Sequence, residues 1–99
     1  MNVTKVKARD KAHLEFEIQE EGSSILWKFK SDDHDIRFGI FHGETEVLQM
    51  KRVDSHKELQ TGVLECKRIG KYRIVFDNSY SYTKEKLVHH KIEIISPFS

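Results

Sequence analysis

Cysteine, proline and alanine are nearly missing from this chain. Among its 99 residues there is one Cys, one Pro and only two Ala. A lone Cys66 cannot close an internal disulfide, and no cysteine-rich zinc framework can be built from it. That usage fits a reducing compartment. Pro97 stands almost at the end, so no ladder in the body of the chain is interrupted. The scarcity of Ala removes the best helix former. Long apolar runs are absent as well: no stretch approaches the roughly 18 residues of a membrane span, and no charged-then-apolar segment marks a secretory signal. A clear excess of one charge is also missing. Seventeen Lys and Arg face sixteen Asp and Glu, a net charge of +1, whereas a generic nucleic-acid binder carries a marked basic excess. The five glycines form none of the spaced clusters that cradle phosphates.

What the chain does have is β-branched and aromatic residues. Val and Ile occur sixteen times, and Phe, Tyr and Trp ten times. These side chains fit pleated sheets. They also alternate with polar ones. Leu14, Phe16 and Ile18 form one such series, and Ile25, Trp27 and Phe29 another; Ile36, Phe38 and Ile40 form a third. Tyr72, Ile74 and Phe76 follow, then Val88, His90, Ile92 and Ile94. A period of two puts one set inward and the other toward water. Weaker strands are expected near residues 3–7, 47–52 and 62–67, about eight in all. Turn residues separate them at Glu21–Ser23, Ser31–His34, His42–Glu44, Ile69–Gly70 and Asn78–Ser81. The pattern predicts an all-β antiparallel sandwich over residues 1–99. Two segments also fit a helix: residues 44–60, which run from acidic to basic, and residues 84–95, where Ile92, Ile94 and Ile95 favour strand. The first ten residues and the tail from Ser96 are expected to fray.

The candidates for chemistry are few. Asp32, Asp33, His34 and Asp35 offer metal-ligand atoms, but they lack the glycine-spaced loop and terminal Glu of a calcium hand. A polar loop bonding its own backbone N–H groups explains them as well. His89 and His90 point to opposite faces of a strand and cannot readily share an ion; His90 reads as a packed, hydrogen-bonded core residue. Cys66 with His56 is formally a thiol–base pair, yet Cys66 lies in an alternating strand and reads as a small buried hydrophobe. The chain is therefore read as a non-enzyme without cofactor or metal. The outward positions Lys28, Lys30, Arg37, Arg73 and Lys91 make a basic face if their strands are neighbours. Such a face suits anionic headgroups or an acidic partner.

The run Trp27-Lys28-Phe29, then Ser31 to Asp35, then Ile36-Arg37-Phe38-Gly39-Ile40-Phe41, resembles the centre of a GOLD (Golgi dynamics) domain. Ser55-His56, Gly62, Leu64, Cys66, Gly70 and Tyr72 extend the likeness, as does the string Phe76-Asp77-Asn78-Ser79-Tyr80-Ser81. The resemblance covers nearly the whole chain. It is closest to the GOLD domains that follow the lipid-binding CRAL-TRIO domain in Sec14-like proteins. It implies a jelly-roll sandwich and a non-catalytic module of a longer lipid-transfer or Golgi and vesicle-trafficking protein. Its partner would be another protein, with the module cytoplasmic and in some cases peripheral to Golgi or other endomembranes. The alternative, drawn from the basic face itself, is peripheral membrane contact with anionic lipid headgroups. Many family members carry a longer insert after the fourth strand, where this chain has only His42, Gly43 and Glu44. The cargo-receptor branch, with lumenal cysteines and a membrane span, does not match. Within the motif, Asp77, Asn78 and Ser79 are expected to satisfy turn N–H groups, with Asn78 suited to left-handed backbone. Trp27 and Phe29 are expected to be core anchors.

Overall fold

Alternation of apolar and polar residues produces eight strands in the computed structural model, which describes residues 1–98. They are β1 (Asn2–Val6), β2 (Lys11–Ile18), β3 (Ser23–Ser31), β4 (Ile36–His42), β5 (Thr45–Val53), β6 (Gln60–Cys66), β7 (Gly70–Asp77) and β8 (Lys86–Ile95). Two four-stranded sheets form, in the orders β1-β8-β3-β6 and β2-β7-β4-β5. Every pairing is antiparallel. Successive strands cross between the sheets except at the β4–β5 hairpin, which is the winding of a jelly roll. Among the described residues there is no helix. Residues 44–60, which also fit a helix, are β5, a turn and the start of β6. Leu48 and Val53 pack against the core from β5, whose register shifts against β4, and burying one face of a strand outweighs local helix propensity.

The inner faces meet in one core. Ile25, Phe29, Val88 and Val6 come from the first sheet, and Ile18, Ile36, Ile40, Ile74 and Phe76 from the second; each is at least 99% buried. The rings of Trp27, Phe38, Phe29 and Phe76 form a chain of contacts, with centroids 5.5 Å apart for Trp27–Phe38, 4.6 Å for Phe38–Phe29 and 5.2 Å for Phe29–Phe76. His90 lies in the same layer. Its Nε2 is 2.8 Å from Thr4 Oγ1, and burial, aided by the charges of His89 and the N-terminus, pushes its pKa below the ordinary 6.5. The first residues do not fray. β1 completes the outer edge of β8, and Val6 is needed in the core. In the tail, the Ser96 hydroxyl donates to Glu20 at 2.6 Å. Gly43 sits at φ +61° in a two-residue loop between His42 and Thr45. A glycine at the first central position suits the tightest hairpin turns.

One corner is closed by polar groups. Asn78 is fully buried. Its side-chain amide donates to the carbonyls of Lys84 (2.8 Å), Lys7 (3.2 Å) and Val6 (3.3 Å). Its Oδ1 accepts from the buried Lys86 ammonium at 2.7 Å. The expectation for Asn78 therefore needs correcting: its backbone is not left-handed, and it serves carbonyls from three segments rather than turn N–H groups. Asp77 does play the expected part, accepting from Ser79 N–H at 2.8 Å. Lys86 also reaches the Tyr80 hydroxyl, which donates to Asp35, and Asp35 is held by Arg52 at 2.8 Å. The Arg52 guanidinium lies over the Tyr80 ring, 4.3 Å from its centre. Burial drives the Tyr80 pKa up, the Asp35 bond adds to it, and it reaches about 12. Asp32 and Asp35 thus pair with distant side chains, His89 and Arg52, not with their own loop.

Two predictions follow from this corner. Asn78→Ala removes the amide bonds to the Val6 and Lys7 carbonyls, and leaves the Lys84 carbonyl only Ser81 and the Lys86 ammonium only the longer Tyr80 contact, so it should cost roughly 3 kcal/mol, a loss of roughly 12–24 °C in Tm; calorimetry showing an unchanged Tm would refute the role. Asp77 is buried and Asp35 partly so, which opposes ionisation. The Arg52 and Tyr80 bonds to Asp35, and the Ser79 bonds and Arg37 charge at Asp77, outweigh burial and hold both below the ordinary 3.8. Their contribution to stability is full above about pH 4 and is lost as pH falls through the folded values. Urea titrations between pH 6 and pH 2 should show the midpoint falling, and Asp35→Asn should flatten part of the fall.

Candidate functional site

The five basic positions do not form one face. Lys28 and Lys30 on β3 and Lys91 on β8 share the outer face of the first sheet. Arg37 on β4 and Arg73 on β7 share the outer face of the second, on the opposite side of the sandwich. Alternation shows that each side chain points outward but not from which sheet, and the jelly-roll winding separates them. The two arginines are half-buried and already engaged. Arg37 pairs with Asp77 at 3.2 Å; Arg73 donates to the Gly43 carbonyl at 3.2 Å and lies over the Phe41 ring. Lys91 pairs with Glu93 on its own strand at 3.2 Å. Among the described residues, Lys28 and Lys30 make no ion pair.

The other notable surface is the side where the sheets end in β5 and β6. Composition and spacing give no signal for it, because it arises only when the two edge strands stack. A cleft of about 610 Å³ is lined there by Val47, Leu64, Tyr72 and His42, with Lys67 and Arg68 among its neighbours. His42 stacks on Tyr72 with centroids 4.5 Å apart. Nearer the β5–β6 turn, a second cleft of about 240 Å³ is lined by Trp27, Phe38, Leu48, Val53 and Gln60. Trp27 is thus a correction: it is only partly buried and walls this cleft, while Phe29 and Phe76 are the fully buried anchors. β6 pairs with β3 without interruption from Gln60 to Cys66, whereas β5 carries two register shifts against β4.

Cys66 is buried, and burial pushes its thiol pKa up despite the Tyr72 bond. Cys66 pairs with Ser23, and Ser55, next to His56, accepts from Ser31 N–H. Eight residues of β3 separate those anchors, about 26 Å, so Cys66 and His56 lie at opposite ends of the sheet. Among the described residues, no three His, Cys, Asp or Glu side chains converge as metal ligands.

No family model matches the chain. FYVE and coiled-coil domain-containing protein 1 of Mus musculus is 32% identical over 83 residues, covering 74% of this chain and 6% of that protein. Protein ctg-1 of Caenorhabditis elegans is 30% identical over 102 residues, covering 93% of this chain and 26% of that protein. Golgi resident protein GCP60 of Homo sapiens is 25% identical over 114 residues, covering 74% of this chain and 22% of that protein. The chain thus spans between 6% and 26% of the length of these relatives.

The second cleft depends on one missing side chain. A Cβ at Gly62 would lie 2.2 Å from Cζ2 of Trp27. Intrinsic propensity alone favours Ala over Gly in a strand, but here Gly62→Ala must displace the indole. It should cost about 1–3 kcal/mol and shift the emission of Trp27, the chain's only tryptophan. Equal or greater stability in a denaturant titration would show that the ring does not lie over Gly62.

Proposed function

We propose that this chain is a GOLD-like, non-catalytic protein-interaction module working in Golgi or vesicle traffic, and that it receives its partner at the seam between β5 and β6. The observation that carries the reading is the coincidence, on one side of the sandwich, of an unpaired, regular strand edge and two apolar clefts. An extended segment adding to β6 gains main-chain hydrogen bonds, and every second side chain turns toward the seam. The regular ladder of β6 makes it a better template than the irregular β5. Lys67 and Arg68, which outnumber Glu65 on the same cleft, favour a segment carrying acidic residues. Relatedness to a Golgi resident protein supports the setting, and the jelly-roll strand order agrees with what the GOLD resemblance implies. The raised Cys66 pKa and its distance from His56 favour a non-catalytic role. The site of action in this reading is the cytoplasmic side of Golgi or related membranes.

The test is affinity capture from a Golgi-enriched extract with the wild-type domain and with Val47→Glu, followed by isothermal titration of the recovered protein. Val47 is 36% exposed, so the substitution is tolerated by the fold while placing an acid in the large cleft. Affinity should fall about tenfold or more, 1.4 kcal/mol. A partner indifferent to Val47→Glu would overturn the seam as the site, and no capture above background would overturn the interaction role.

A further inference from the structure

Lys28 and Lys91 stand directly opposite each other in the β3–β8 ladder. Like charges in that relation destabilise an antiparallel pair. Lys91 has Glu93 beside it along β8, while Lys28 has no ion-pair partner among the described residues. Lys30 is in the next outward row, opposite His89, and Lys5 on β1 continues the basic character. Aliphatic side chains are interleaved with the lysines. Leu26 and Val63 are cross-strand partners on the same outer face. Val63 is 63% exposed and Val3, on β1, 55%. A shallow hollow of about 390 Å³ lies between the Lys28–Lys91 pair and Val63, with Thr61 and the Lys91-paired Glu93 also on its wall.

We infer that this outer face is a docking surface for a bilayer containing anionic phospholipid. A phosphate seated between Lys28 and Lys91 offsets their repulsion and gives Lys28 an anionic partner, as Glu93 already does for Lys91. Lysine stems are long enough to lie along apolar surface while their ammonium groups reach headgroups, and Val63 and Val3 face the same plane. Scattered ammonium groups and exposed aliphatics match an extended interface of phosphates and acyl chains. The arginines of the opposite sheet have no such role, because Arg37 and Arg73 are held by Asp77 and by Gly43. The inference is independent of the seam, which lies on the side of the sandwich.

The experiment is co-flotation of the folded chain with phosphatidylcholine vesicles, with and without phosphatidylserine, at low and high salt. Binding should require phosphatidylserine and weaken with salt. Neutralising one lysine should lower the partition constant about fivefold, and Lys28→Gln with Lys91→Gln roughly 25-fold. Arg37→Gln with Arg73→Gln on the other sheet, and Val47→Glu at the seam, should change it little. Without vesicles, Lys28→Gln should leave Tm unchanged or raise it, because it removes the like-charge pair. Equal flotation with neutral vesicles, equal loss in the arginine variant, or no flotation at low salt would each overturn the inference. In the last case, binding of the same face to an acidic protein would be the remaining use for its charge.

Discussion

A single buried carboxamide holds the closed corner of this sandwich together. Asn78 spends its N–H groups on carbonyls at the end of β1, in the turn after it and in the segment before β8, and its oxygen on Lys86. Its backbone is fully used too: its N–H donates to Asp10 and its carbonyl accepts from Arg9 and Ser81. Buried polar groups are costly unless satisfied and strongly ordering when they are. Through Lys86, Tyr80, Asp35 and Arg52 the same network reaches the second sheet at β4 and β5. One corner is therefore tied by polar contacts. Beyond Arg52, the stacked edges of β5 and β6 rest on partly buried apolar walls. That asymmetry puts rigidity and accessibility at different places in a small molecule.

The strands were largely legible from alternation, since period-two burial is a local property. His90 was legible for the same reason: one polar ring in an apolar series must pack and find a partner, and Thr4 supplies it. What alternation cannot show is which sheet a strand joins. Lys28 and Arg37 are both outward-facing, yet they end on opposite surfaces, because β3 and β4 sit in different layers. Local spacing suggests that the Asp32 to Asp35 loop satisfies itself, whereas its partners Arg52 and His89 are close in space and far in sequence. Trp27 misleads by its size. The largest side chain lies at the margin, where β6 offers a glycine, and smaller phenylalanines fill the middle.

β3 is shared by both proposed surfaces. Its odd positions Ile25, Trp27 and Phe29 build the core and the seam wall, and its even positions Leu26, Lys28 and Lys30 present the lysine face. The two surfaces are thus the two sides of one pleated strand, at right angles to a β6 edge that borders both. A domain seated on a bilayer through the lysines would hold its seam sideways, parallel to the membrane plane, where a membrane-bound protein is within reach. The fold supplies this orientation through its winding, and no dedicated loop is needed.

The winding also governs how the chain can come into being. β1 has one neighbour in its sheet, β8, the last strand, and β2 is laddered to β7. A growing polypeptide that has emerged only as far as β6 holds the β4–β5 hairpin and the β3–β6 pair, but nothing with which to satisfy its first two strands. Non-local pairings of this kind are slow to close. The exposed edges of the waiting strands are the segments most prone to pair with another chain. Completion must therefore await β8, so this sandwich closes only once all eight strands have been made, rather than in step with their synthesis.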